Sequence, residues 1–201
     1  MDYKAHLAKD PKLKKLIERY EMIELKKRKN VCLRLCASIM SQQLSTKVAD
    51  VIYRRFLNLF DGKEPTPEQI LQIPPQVLRS IGMSNAKVSY VHNVARFAVE
   101  QGMDHRKFGK MTDEEVITHL TAIKGVGRWT AEMLLMFTLG REDICPLDDL
   151  GAAQALIQLY GLKIKDKKKL RQKMLKIASA WSPFRSYAYL YLWRWRDDAS
   201  K

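Results

Sequence analysis

At 201 residues, 46% of them hydrophobic, the chain can bury a substantial core as one domain or as two small lobes. Its 36 lysines and arginines against 22 acidic residues leave a formal charge of +14, a self-repulsion that points to a polyanionic partner, nucleic acid first. No apolar run approaches the roughly 20 residues of a membrane-spanning helix and MDYKAHLAKD lacks the apolar segment of a secretory signal, so the expectation is an intracellular protein with no membrane partner.

In chain order the residues read as helix after helix, with short turns and hardly any strand alternation. Asp10 before Pro11 makes an N-cap and first-turn pair for a helix through Tyr20. Val31 to Met40 is almost continuously apolar, as in a buried helix, and Ser45 or Thr46 opens an amphipathic helix through Phe60. Cys32 and Cys36, four apart on the first of these, and Cys145 are expected as reduced core thiols rather than as disulfides or metal ligands. Thr66 with Gln69 and Thr112 with Glu115 are capping boxes. Ser84 starts a helix with Val88, Val91, Val94, Ala95 and Ala98 on one face, closed by Gly102. Asp149 to Tyr160 is a helix closed by Gly161, the lysine-rich segment Lys163 to Lys176 leads into a helix through Ala180, and Pro183 begins the last helix, ending near Arg196. The basic runs at 26–29 and 167–169 read as solvated surface.

The segment K124-G-V-G-R-W-T130 carries the most chemistry. Two glycines one residue apart permit positive φ and close backbone approach, and the helix that follows directs unpaired N–H groups outward. Backbone amides and the helix dipole can hold a phosphate there without reading sequence. Glycines also mark ordinary helix–helix turns, so the context matters: a helix from Thr112 to Leu120 precedes the turn, and a carboxylate pair, P146-L-D-D-L150, follows about twenty residues later.

This arrangement resembles the helix-hairpin-helix DNA glycosylase superfamily. The segments G127-R-W-T-A131, W181-S-P-F-R-S-Y-A-Y-L-Y-L-W193, S41-Q-Q-L-S45 and G82-M-S-N-A-K87 are similar to the 3-methyladenine DNA glycosylase II family, in a compact form without the N-terminal mixed domain of larger bacterial members. The resemblance implies an all-α fold of two helical lobes around a cleft, approximately 31–135 centrally and 1–30 with 136–201 terminally. It implies a monomeric, monofunctional enzyme that acts on double-stranded DNA, flips out an alkylated purine such as 3-methyladenine or 7-methylguanine and hydrolyses its glycosidic bond. A non-enzymatic hairpin DNA-binding protein and a glycosylase for oxidised or mismatched bases are the alternatives.

Carried onto this sequence, the family pattern makes Asp149 the catalytic carboxylate rather than Asp148, which is assigned to structure in a pair with Arg185. Either aspartate also suits a helix N-cap. Trp129, Trp193 and Met133 are assigned to the lesion pocket, Met133 standing where larger relatives often have tyrosine. Lys124, Gly125, Val126, Gly127, Arg128 and Thr130 form the DNA-binding element. Gln43 or Leu44 is the wedge that fills the gap left by the extruded base, although Gln42 and Gln43 also suit helix capping. Relatives that cleave the DNA backbone carry a lysine where this chain has Trp129, so direct hydrolysis is expected. An iron-sulfur cluster needs four cysteines after the aspartate and is not expected. No cofactor is required; the family's hairpin cation, sodium or potassium, would be held by the carbonyls of Thr121, Ile123 and Val126.

Overall fold

The computed structural model describes residues 2–199. They form thirteen helices and no strand: α1 (Tyr3–Leu7), α2 (Pro11–Arg19), α3 (Val31–Ser41), α4 (Thr46–Asn58), α5 (Pro67–Gln72), α6 (Pro75–Ser80), α7 (Asn85–Gln101), α8 (His105–Phe108), α9 (Asp113–Thr121), α10 (Arg128–Phe137), α11 (Leu150–Tyr160), α12 (Lys167–Ser179) and α13 (Arg185–Ala199). No helix among these residues is long and apolar enough to cross a membrane. The chain divides into two compact units: Lys27–Leu139, and the residues up to Lys26 together with those from Gly140 onward.

Local chemistry sets most helix starts. The Asp10 carboxylate accepts the Lys12 and Leu13 N–H groups, Ser84 Oγ accepts the Lys87 N–H, and Thr66–Gln69 and Thr112–Glu115 close full capping boxes. Gly102 and Gly161 end α7 and α11 at positive φ.

In the central unit the apolar helix α3 packs against α4, α7 and α10. Leu33, Leu35, Cys36 and Ile39 of α3, Val91, Val94 and Ala95 of α7, and Phe56, Phe108 and Leu135 are all buried in the core of this unit, where Cys36 Sγ reaches the Val91 carbonyl (3.9 Å). Cys32 and Cys36 are buried free thiols, and the hydrogen bond that the Cys36 thiol makes to Cys32, together with burial, pushes it well above its ordinary value. The unit extends beyond the expected limits of 31 and 135. The Arg28 N–H donates to the Thr138 carbonyl (2.9 Å) and His105 Nε2 to the Arg28 carbonyl (2.7 Å), tying both flanking segments to it.

In the terminal unit α13 packs on α2 and α11, and burial of Trp181, Tyr189, Tyr191 and Leu192 makes its core aromatic. The Asp10 carboxylate accepts Trp181 Nε1–H (3.2 Å) and the Tyr160 hydroxyl, joining the start of the chain to its last third. The last helix begins at Arg185, not at Pro183. Its first N–H group is taken by the Asp143 carboxylate, 42 residues upstream (3.3 Å), which also accepts the Ser182 hydroxyl (2.8 Å).

Candidate active site and nucleic-acid interface

The central unit carries the hairpin. Helix α9, the turn 122–127 and α10 are closed by the Val126 N–H donating to the Ile123 carbonyl (3.0 Å), and both side chains are buried. The two glycines do different work. Gly125 sits at φ +106° and a Cβ there would stand 2.2 Å from Tyr90 Cγ, so backbone angle and the Tyr90 ring both demand glycine. Gly127 has an ordinary φ of −91°, and a Cβ on it would meet nothing within 4 Å. It caps α10 without a side-chain hydrogen bond, so the N-terminus of α10 is not closed by its own cap residue.

The expected DNA-binding residues divide by environment. Lys124 is exposed, its carbonyl held by Asn93 Nδ2 (3.2 Å). Arg128, half exposed, is tied to the hairpin: its guanidinium pairs with both oxygens of the exposed Glu114 (3.0 and 2.5 Å) and through Nε with the buried Glu132 (3.0 Å). The Glu114 hydrogen bonds push Arg128 up from its ordinary value, and the same contact draws the Glu114 carboxyl down. Arg128 therefore locks α9 to α10. Thr130 is buried, and its hydroxyl accepts Gln42 Nε2–H (3.3 Å).

That bond reaches the turn between α3 and α4, which holds Gln43 and Leu44. Gln43 is at φ 57°, a left-handed conformation that costs about 1–3 kcal/mol in a non-glycine residue and persists only where neighbours enforce it. Lys87 supplies the enforcement. Its ammonium donates to the carbonyls of Met40 (2.9 Å) and Gln42 (2.8 Å), gathering the exposed carbonyl end of α3. Burial lowers the Lys87 ammonium from its ordinary value. Gln43 and Leu44 are exposed at the tip, while Gln42 is the C-cap of α3.

Trp129 is 40% exposed in the first turn of α10. Met133, one turn on, lines a cavity of about 410 Å3 together with Arg34, Ser38, Ser41, Tyr53 and Phe137. At the turn, the Thr121 and Val126 carbonyls accept no backbone hydrogen bond among the described residues, and Ile123 retains one lone pair. Three carbonyl oxygens of this kind fit a hard monovalent cation.

The terminal unit carries the carboxylates. Asp149 is the N-cap of α11, its Oδ1 accepting the Ala152 N–H (2.6 Å) and Trp193 Nε1–H (2.9 Å). Trp193 is thus in direct contact with the carboxylate and fixes its orientation. Gly151 leaves room for Arg196, whose Nη1 lies 1.4 Å from where a Cβ would be, so this guanidinium rests on the first turn of α11. The expected Asp148–Arg185 pair does not form. Arg185 makes a two-pronged pair with Asp143 (2.7 and 2.9 Å), whereas Asp148 pairs with Arg171 of α12. Asp143 faces the start of α13, and its remaining acceptor capacity is filled there by the Ser182 hydroxyl and the Arg185 N–H. No group of three or more His, Cys, Asp or Glu side chains among the described residues is arranged to hold a metal ion.

Residues 36–180 match the family described as HhH-GPD superfamily base excision DNA repair protein. A DNA-3-methyladenine glycosylase 1 of Schizosaccharomyces pombe is 34% identical over 91% of this chain and 80% of its own length. The crystal structure of a Bacillus halodurans DNA-3-methyladenine glycosidase superposes with a TM-score of 0.83 at 36% identity, over 98% of this chain and 89% of that one. A Schizosaccharomyces pombe 3-methyladenine DNA glycosylase solved in complex with abasic DNA gives a TM-score of 0.83 at 32% identity over 96% of both chains.

Proposed function

Because the chain belongs to the HhH-GPD superfamily of base excision DNA repair proteins, we propose that it is a DNA glycosylase that hydrolyses the N-glycosidic bond of alkylated purines in duplex DNA and leaves an abasic site. The observation that carries this reading is Asp149, a carboxylate fixed at the start of α11 by Ala152 N–H and by the indole of Trp193. A pre-oriented negative charge stabilises the oxocarbenium-like sugar as the base departs, and it can orient or deprotonate the attacking water.

The hairpin holds a phosphate through the helix N-terminus behind Gly127, with Lys124 on the same turn. A sodium or potassium ion on the carbonyls of Thr121, Ile123 and Val126 would add positive charge facing that phosphate. Gln43 or Leu44, presented at the tip of the Lys87-braced turn, fills the gap left when the base is extruded. Alkylation at N3 or N7 makes the base a cation, and the electron-rich faces of Trp129 and Trp193 favour it by about 0.5–2 kcal/mol each over a neutral base. Met133 offers a softer apolar wall than an aromatic ring would. Trp129 stands where a Schiff-base amine would be needed, which supports a monofunctional hydrolysis.

The test is base release from duplexes containing 7-methylguanine, compared with 8-oxoguanine and thymine–guanine mispairs. Release of 7-methylguanine, with a strand that breaks only on later heating in alkali, is the expected result. Binding without release would make the chain a DNA-binding protein, release of 8-oxoguanine instead would reassign the substrate, and a borohydride-trapped enzyme–DNA adduct would show that an amine attacks.

A further inference from the structure

The distribution of charge in the terminal unit is lopsided. Residues 163–176 hold eight lysines and arginines and one acidic residue, Asp166, while the rest of the unit holds 12 basic and 11 acidic residues. Nearly all of its positive excess is therefore concentrated in one helix, α12, and the short extended stretch before it. Solubility does not require this, since mixed signs serve it equally well.

The helix displays the charge outward. Met174 and Ala178 are buried and α12 packs on α11, so its apolar face is already occupied. Lys168, Lys169, Lys173 and Lys176 are all exposed and have no ion-pair partner among the described residues. Lys169, Lys173 and Lys176 follow at helical spacings of four and three, a stripe about 10 Å long at the rise of an α-helix. Like charges at such spacings repel and weaken the free helix. Asp166, the one carboxylate in the stretch, is the N-cap and accepts the Lys169 N–H (2.8 Å).

The position of α12 bears on function. Arg171 pairs with Asp148, the residue before Asp149, so the helix is pinned directly beside the carboxylate. We propose that the exposed face of α12, centred on Lys168, Lys169, Lys173 and Lys176, is a second phosphate-binding surface that tracks the backbone of the DNA strand whose nucleotide is presented to Asp149. This rests on the reading of Asp149 as the catalytic residue. Lysines suit the task because they act as point charges on phosphate without reading bases. A lipid surface fits less well: a membrane-lying helix inserts an apolar face, and α12 exposes only Leu175, at 44%, among its large apolar side chains.

The test compares the full chain with a variant in which Lys168, Lys169, Lys173 and Lys176 are all replaced by glutamine. A control replaces four scattered exposed lysines, Lys9, Lys15, Lys63 and Lys110, in the same way. Affinity for a lesion-containing duplex is measured across salt concentration, alongside single-turnover base release at saturating DNA. Each lost phosphate contact lowers the slope of log affinity against log salt by about 0.9. The α12 variant is expected to lose about 1.8 to 3.6 units of slope, for two to four lost contacts, and at least about tenfold in affinity at low salt. Its saturated release rate should stay within twofold, and its melting temperature should be unchanged or higher as the lysine repulsion is relieved. An unchanged slope overturns the proposal, and so does an equal loss in the scattered control, which would reduce the effect to net charge. Binding to phosphatidylserine vesicles that the α12 variant loses, with an unchanged DNA slope, would assign the face to a membrane instead. Asp149→Asn is run in parallel: retained release there would remove the catalytic reading, and a normal slope change in the α12 variant would then show a DNA surface with its strand assignment gone.

Discussion

Replacing Asp149 by asparagine separates the structural role of this side chain from the catalytic role proposed for it. Its Oδ1 caps α11 through the Ala152 N–H at 2.6 Å and receives the Trp193 indole at 2.9 Å. Asparagine keeps an oxygen in that position and is as good an N-cap as aspartate, so stability should change by no more than a few tenths of a kcal/mol. What disappears is the negative charge. Loss of one pre-oriented electrostatic partner of a transition state costs about a hundredfold to a thousandfold in rate, or about 2.7–4 kcal/mol. Single-turnover release of 7-methylguanine at saturating enzyme reads this directly, with thermal melting as the control. Asp149→Ala should add a structural defect, about 0.5–2 kcal/mol for the lost cap and about 1–3 kcal/mol for the half-buried indole N–H left without this acceptor. Asp148→Asn removes only an exposed pair with Arg171, worth about 0–1 kcal/mol, and should leave release intact. Normal release by Asp149→Asn, with loss in Asp148→Asn, would refute the choice between the two aspartates.

The two hairpin glycines should respond oppositely to alanine: Gly125→Ala, at φ +106° against Tyr90, should lower the melting temperature and weaken DNA binding together. Gly127→Ala, with open space at its Cβ, should melt normally yet bind duplex more weakly because the methyl intrudes on the approaching phosphate. Lys87→Met should free the Gln43 turn by removing two charge-assisted bonds worth about 1.5–3 kcal/mol each at most. Base extrusion, read as 2-aminopurine fluorescence, should fall more than binding to abasic DNA, and Lys87→Arg should restore part of it. Burial lowers the imidazoles of His92 and His119 below their ordinary value, so the unfolded chain binds protons that the folded chain does not. Stability should therefore be complete above about pH 6.5 and fall as pH drops from there toward the folded-state values. Melting curves across this range should show a slope that His119→Phe flattens, since that ring already packs edge-on against Phe97 and Phe108.

What could be read from the residues alone follows from the range of the interactions. Helix starts governed by groups within three residues, at Asp10, Thr66, Ser84 and Thr112, were legible because cap and recipient are neighbours in sequence. The start of α13 was not, because its acceptor, Asp143, lies 42 residues away. The short helices α1, α6 and α8 fall below the length at which hydrophobic periodicity can be recognised. At the candidate site the glycine turn and Asp149 stood out by type and spacing, but partner choice did not. The pairing of Arg128 with Glu114, fourteen residues earlier, was not legible, because only the folded hairpin brings the two together. Lys87 was visible as part of a motif, yet its role depends on carbonyls 45 and 47 residues away, which every residue type supplies alike. Arg171 was a more natural partner for Asp148 than Arg185, but only the packing of α12 on α11 reveals it.

The division of labour among these residues also bears on how a damaged base would be distinguished. The hairpin offers backbone amides and Lys124, which hold phosphate without information about bases, so binding alone gives no discrimination. In the proposed role Asp149 would stabilise a sugar cation whichever purine leaves, adding rate without adding selectivity. An aromatic face prefers a cationic base by about 0.5–2 kcal/mol, a factor of about 2 to 30 in rate where it acts in the transition state. Substrate range is then governed mainly by the leaving group itself. An N3- or N7-alkylated purine departs as a neutral molecule from a bond already weakened by positive charge, and it needs no protein acid. A neutral lesion would need a proton donor, and the titratable groups of the cavity that Met133 lines include Asp50 and Tyr53, so release of a neutral lesion, lost on Tyr53→Phe, would show that the protein supplies one.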